Sequence, residues 1–150
     1  MEQGNLFENY SRYYVTSYLT RDPLVKESGR QYLLNSPEDV CKMITDHKDL
    51  ENRDREHFIV AYLNRKCALN AVCTISIGDL YSSIVHPREV FKPAILTSSA
   101  SVILIHNHPS GDPTPSREDI EVTNRLIEAG KILGIEVLDH VIIGVGKHVS

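Results

Sequence analysis

The chain lacks a basic stripe. Its 16 Lys and Arg are outnumbered by 20 Asp and Glu, giving a formal charge of −4. Seven acids against four bases in residues 37–56 supply most of that imbalance. Gripping nucleic acid through phosphates needs clustered Lys and Arg, so charge does not favour direct DNA binding, although it leaves DNA open as a partner. Only three cysteines occur, Cys41, Cys67 and Cys73, with no C-x-x-C pair. An odd, scattered set excludes a disulfide framework and fits free thiols in a reducing cytosol. There is no charged-then-apolar leader and no apolar run approaching about eighteen residues, so no membrane partner is expected. The expectation is a soluble, cytoplasmic protein. Its 150 residues, 41% hydrophobic and 24% charged, are enough for one globular domain with a real core.

What is present concentrates in residues 102–119, VILIHNHPSGDPTPSRED. Val102 to Ile105 read as a buried strand. His106 and His108 follow at its end; two residues apart on a strand, they share a face at roughly 6–7 Å. Pro109 to Pro115 form a turn-rich segment that can be neither helix nor inner strand. Ser116-Arg117-Glu118-Asp119 then opens a helix and returns a carboxylate toward the histidines. Two imidazoles and a carboxylate make a tripod suited to zinc, with the fourth position left for water. No cysteine lies nearby to close that position, so the pattern reads as catalytic. Each part also has an ordinary explanation. Histidines at strand ends often satisfy local hydrogen bonds, Ser116-x-x-Asp119 matches a helix capping box, and the prolines shape a loop. The metal reading rests on all of them falling in one short segment.

The rest of the chain reads as support. Residues 1–35 form an aromatic-rich extension in which Phe7, Tyr10, Tyr14 and Tyr18 recur at helical spacing, a face for packing against the domain or a second subunit. Ser36-Pro37-Glu38-Asp39 starts a helix that turns Val40, Met43, Ile44 and His47 inward. The charged run 46–54 is expected to be a solvated connector. A strand over 56–63, a turn at 64–66 and a strand over 68–77 make a hairpin. After Gly78 comes a polar loop, then a short helix at Pro87 with Val90, Phe91 and Ala94 facing the core. His86 either lines a cleft or is a hydrogen-bonded loop histidine; Arg88 either contacts substrate or forms an ion pair. A helix over 117–133, with Ile120, Thr123, Leu126, Ile127 and Gly130 on its apolar face, ends at Gly134. Strand returns at 135–137 and 141–145, interrupted by Asp139-His140, a pair read as outer-shell or structural and not as ligands. This order predicts an α/β domain over 36–150: a mixed sheet with helices on both faces.

His106, His108, seven further residues, then Ser116-x-x-Asp119 has the spacing of the JAMM (JAB/MPN-plus) metalloproteases, and HNHPSGDPTPSRED resembles the RadC branch of that superfamily. VHPREVF (85–91) and LDHVIIG (138–144) extend the resemblance from Ser36 to the C-terminus; it does not reach the first thirty-five residues. The resemblance implies a three-layer α-β-α JAMM/MPN-like fold and zinc held by His106, His108 and Asp119. It implies Glu56, ahead of the hairpin, as general base, with Glu51 the alternative, and the Ser116 hydroxyl as donor to the developing oxyanion. The implied substrate is a protein or peptide cut at a peptide or isopeptide bond; the residues alone support metal-assisted hydrolysis. RadC-like chains continue past the last strand, so a truncation at Ser150 is expected. A rival reading is a DNA-repair- or mobile-element-associated module whose metal is structural or partner-binding. The acidic balance and the intact catalytic set weigh against it. Zinc deamination is rejected, since H-x-E with P-C-x-x-C is missing. Oligomeric state is left open.

Overall fold

The computed structural model describes residues 32–78 and 85–150. The aromatic face of Phe7, Tyr10, Tyr14 and Tyr18 and the polar loop after Gly78 lie outside the described residues, as does the side chain of His47.

Local chemistry starts and stops the elements. Helix α1 (Pro37–Lys48) is capped by Ser36, whose side chain accepts from the Asp39 N–H while Asp39 accepts from the Ser36 N–H. Pro37 sits in the first turn, where a missing N–H breaks no helical bond. A one-turn 3-10 helix (Leu50–Asn52) leads into strand β1 (His57–Leu63), which turns at Asn64 into β2 (Leu69–Ile77). Helix α2 (Pro87–Leu96) precedes β3 (Ser101–Asn107). Helix α3 (Arg117–Leu133) ends at Gly134, whose left-handed φ of 68° suits glycine, and β4 (Glu136–Ile143) and β5 (His148–Val149) follow. No helix among the described residues is long and apolar enough to cross a membrane.

The strands form one mixed sheet in the order β2-β1-β3-β4-β5. β1 runs antiparallel to β2 and β3, β3 parallel to β4, and β4 antiparallel to β5. The parallel pair needs a crossover, and α3 supplies it. Alternation along β1 sends Ile59, Ala61 and Leu63 into a core with Val40, Met43 and Ile44 of α1. Phe58, Val60 and Tyr62 point to the other face, against Val90 and Phe91 of α2 and Val122 and Leu126 of α3. Because β1 and β3 are covered on both faces, their sequences are nearly continuous apolar runs. This is the three-layer α/β architecture with a mixed sheet expected from the sequence, and it agrees with a JAB/MPN-like domain.

Three local expectations are corrected. The charged run 46–54 is not wholly solvated: Leu50 is 2% exposed and belongs to the α1-side core. On α3 the inward stripe is Asp119, Val122, Leu126 and Gly130, while Ile120 is exposed. At about 100° per residue, the rotation that turns Asp119 inward carries Ile120 out. Finally, β4 continues through Asp139 and His140, with Leu138 as one extra residue in its pairing with β3.

Candidate metal centre

The two histidines stand where β3 leaves the sheet. His106 is the penultimate residue of β3 and fully buried; His108 lies just past the strand, tied down by its N–H to Ile143 O at 2.9 Å. The proline-rich loop then folds back on itself. Gly111, at φ 81°, donates to His108 O at 2.9 Å and accepts from the Val145 N–H at 3.2 Å. Gly144 makes that contact possible: a Cβ there would sit 2.3 Å from Gly111 O and 2.8 Å from Pro113 Cδ. Past the loop, Ser116 caps α3 and brings Asp119 inward, 1% exposed.

His106 Nε2 and His108 Nε2 are 2.9 Å apart, with Asp119 Oδ1 3.1 Å from the first and Oδ2 3.3 Å from the second. One potential ligand atom from each residue falls within 4.8 Å of the others, so the group can bind a metal ion. The donor chemistry fits such an ion. His108 Nδ1 contacts Asp112 O at 2.7 Å; a carbonyl only accepts, so Nδ1 carries the hydrogen and neutral His108 keeps a lone pair at Nε2. Asp119 Oδ2 is occupied by the Ser116 N–H at 2.7 Å, whereas Oδ1 is buried without a hydrogen-bond partner despite its closeness to His106. An orphaned carboxylate oxygen in a buried site is costly unless a cation meets it. Burial pulls the Asp119 carboxyl upward, but the His106 ring and Ser116 outweigh it and hold the group well below the usual carboxylate range. Burial, followed by His106, pushes His140 down to about 3. At neutral pH the site therefore combines an ionised acid with a neutral His140.

The other expected residues divide. Glu56 accepts the Gly78 N–H at its carbonyl, 2.8 Å, and lines an open cleft of about 410 Å³ with Arg55, Gly78 and Pro109, the residue after His108. The register pairing Phe58 with His106 carries Glu56 to the level of His108 when extended by two residues. Glu51 instead lines a separate cavity of about 210 Å³ with Cys41 and Leu50 on the α1 side. Ser116 stands in the N-cap of α3, its hydroxyl accepting from the Asp119 N–H at 3.1 Å. Arg88 is mostly exposed and pairs with Glu89 at 3.4 Å, which resolves its ambiguity toward a surface ion pair. His86 is the N-cap of α2 without a side-chain capping bond.

Asn107 gains an importance that sequence reasoning did not assign, and His140, read there as outer-shell or structural, gains a named partner. Asn107, buried between the two histidines, accepts from the His57 N–H at 2.8 Å and donates to Arg55 O at 3.0 Å. It thereby clamps the backbone on both sides of Glu56. His140 Nε2 lies 2.8 Å from His106 Nδ1. The only signals were a polar residue inside H-N-H and a polar pair inside an apolar run, neither of which names a partner.

Comparison with known proteins agrees with this geometry. Residues 34–150 match the family model described as a RadC-like JAB domain. A UPF0758 protein of Syntrophomonas wolfei is 63% identical over 114 residues, which cover 75% of this chain and 48% of that protein. One from Desulforamulus reducens is 61% identical over 118 residues, 79% of this chain and 51% of its own. One from Caldanaerobacter subterraneus subsp. tengcongensis is 56% identical over 132 residues, 88% and 56%. The chain spans about half the length of the curated relatives it matches, and their shared name states no reaction.

Proposed function

Since the chain belongs to the RadC-like JAB domain family, whose superfamily is hydrolase-related, we propose that it is a zinc-dependent metallopeptidase acting on a peptide or isopeptide bond. His106, His108 and Asp119 would hold the ion. Two imidazoles and one carboxylate suit zinc, and the burial of His106 and Asp119 suits a fixed coordination shell. When bound, zinc lowers the pKa of a coordinated water to about 7 and polarises a carbonyl. Glu56, at the edge of the cleft, takes a proton from the attacking water and delivers it to the leaving amine. The Ser116 oxygen accepts the Asp119 N–H, and its own hydrogen donates to the carbonyl oxygen as charge builds there. Asn107 keeps Glu56 from drifting, because a misplacement of about 1 Å can cost on the order of 100-fold in rate.

The observation that carries this reading is the convergence of His108 Nε2 and orphaned Asp119 Oδ1 on His106 Nε2 beside a glutamate-lined cleft. The test is metal analysis together with hydrolysis of peptide and isopeptide substrates. One zinc per chain is expected, with Glu56→Gln retaining the zinc and losing turnover. Protein without stoichiometric zinc, or undiminished hydrolysis by Glu56→Gln, would count against it.

A further inference from the structure

A chain of hydrogen bonds leads away from His106 on the side opposite its ligand atom. His106 Nδ1 lies 2.8 Å from His140 Nε2, His140 Nδ1 2.6 Å from Thr123 Oγ1, and Thr123 Oγ1 2.6 Å from Asp119 O. Its direction follows from the far end. The Asp119 carbonyl only accepts, so the single Thr123 hydroxyl hydrogen is spent on it. Toward His140, Thr123 is therefore the acceptor, and His140 Nδ1 carries the ring's hydrogen. A neutral His140 has then only a lone pair at Nε2, so His106 must donate from Nδ1. That leaves His106 Nε2 as the atom to offer a metal, facing His108 Nε2 and Asp119 Oδ1.

We propose that Thr123 and His140 are positioning residues that lock His106 in its metal-binding tautomer. Thr123 follows Asp119 by one helical turn, so α3 supplies both a ligand and the terminus of the relay. His140 reaches His106 through a bulge in β4. Val102 pairs with Val137 but Ile103 with Asp139, leaving Leu138 extra. One inserted residue inverts every side chain that follows. Val137 packs on the α2-α3 side, whereas Val141 and Ile143, which would otherwise share that side, pack with α1. The same inversion turns His140 toward His106, where their ring centroids are 4.9 Å apart. Partners of this kind beyond the ligands orient metal-binding histidines and raise affinity.

This inference deepens the zinc reading and rests on it, but its first test needs no metal. Imidazole ¹⁵N shifts of metal-free protein at pH 8 are expected to show His106 protonated at Nδ1. Thr123→Val keeps the shape and removes the hydroxyl; it should populate the other His106 tautomer and weaken zinc binding about tenfold by chelator competition. Thr123→Ser should restore both. A wild-type His106 with no hydrogen at Nδ1, or a Thr123→Val protein with wild-type shifts and zinc affinity, would overturn the relay. A wild-type protein that shows the expected shifts but takes up no zinc would sink the metallopeptidase reading alone.

Discussion

The chain contains the same four-residue device twice. Ser36-Pro37-Glu38-Asp39 opens α1 and Ser116-Arg117-Glu118-Asp119 opens α3, and both close reciprocal capping boxes. The bonds are alike: 3.2 and 3.1 Å to the first box's serine and acid, 3.1 and 2.7 Å to the second's. What differs is what surrounds the acid beyond the box. Asp39 is half-buried and spends Oδ2 on a further backbone donor, Asn35 N–H at 3.0 Å. Asp119 is buried, with Oδ1 3.1 Å from His106 Nε2 and lacking a hydrogen bond. Capping therefore engages only one oxygen of Asp119 and leaves the other available to a cation. Neighbours from β3, and not the helix start itself, decide which box belongs to the candidate metal site.

Exchanging the acids should split the two boxes most widely. Asp119→Ala is expected to lower zinc affinity on the order of 100-fold or more and abolish hydrolysis, since it removes a ligand and not merely an outer partner. Asp39→Ala should leave zinc affinity unchanged; chelator titration of both variants makes the comparison. The serines should differ next. Ser116→Ala is expected to reduce turnover by about 10²–10³-fold at unchanged zinc content, through loss of an oxyanion donor, while Ser36→Ala keeps wild-type kcat. Equal rates for the two would remove Ser116 from the chemistry.

Acid offers a third separation, measured as the pH dependence of thermal unfolding in metal-free protein. His140 titrates near 6.5 when unfolded but at about 3 when folded. Between those values the unfolded chain binds a proton that the folded chain refuses, so stability falls as pH falls, by up to about 1.4 kcal/mol per pH unit. Asp119 acts in the same direction lower down: its depressed pKa contributes stability above the unfolded value near 3.9 that is lost as pH drops further. His140→Gln should flatten the upper part of the profile; an unaltered profile would assign that slope to other groups. The smallest effect belongs to the simple cap, where Ser36→Ala should cost about 1 kcal/mol in denaturant unfolding.

Much of this architecture is legible in linear order. A run as apolar as Val102 to Ile105 has to be covered on both sides, and Ser36 and Ser116 announce helix starts through bonds spanning three residues. Gly134 ends α3 by a similarly local rule. Errors arise where a neighbour distant in sequence intervenes. Leu50 looks like part of a charged connector until the α1-side core accepts it. Ile120 looks inward until the demand for Asp119 rotates the helix. Asp139-His140 looks like an interruption because polar groups rarely enter a sheet. It is accommodated because Asp139 Oδ1 accepts the His140 N–H at 2.7 Å and His140 joins the His106 network.

The order of residues alone determined the helix caps, the buried central strand and the presence of two imidazoles and an acid within one short segment, because each depends on contacts between near neighbours. Tertiary structure decided which carboxylate oxygen stays bare, which glutamate borders the cleft and which way His140 faces. Those depend on the β1-β3 register, on the rotation of α3 and on one extra residue in β4, and a shift of a single position in any of them would turn the side chain away.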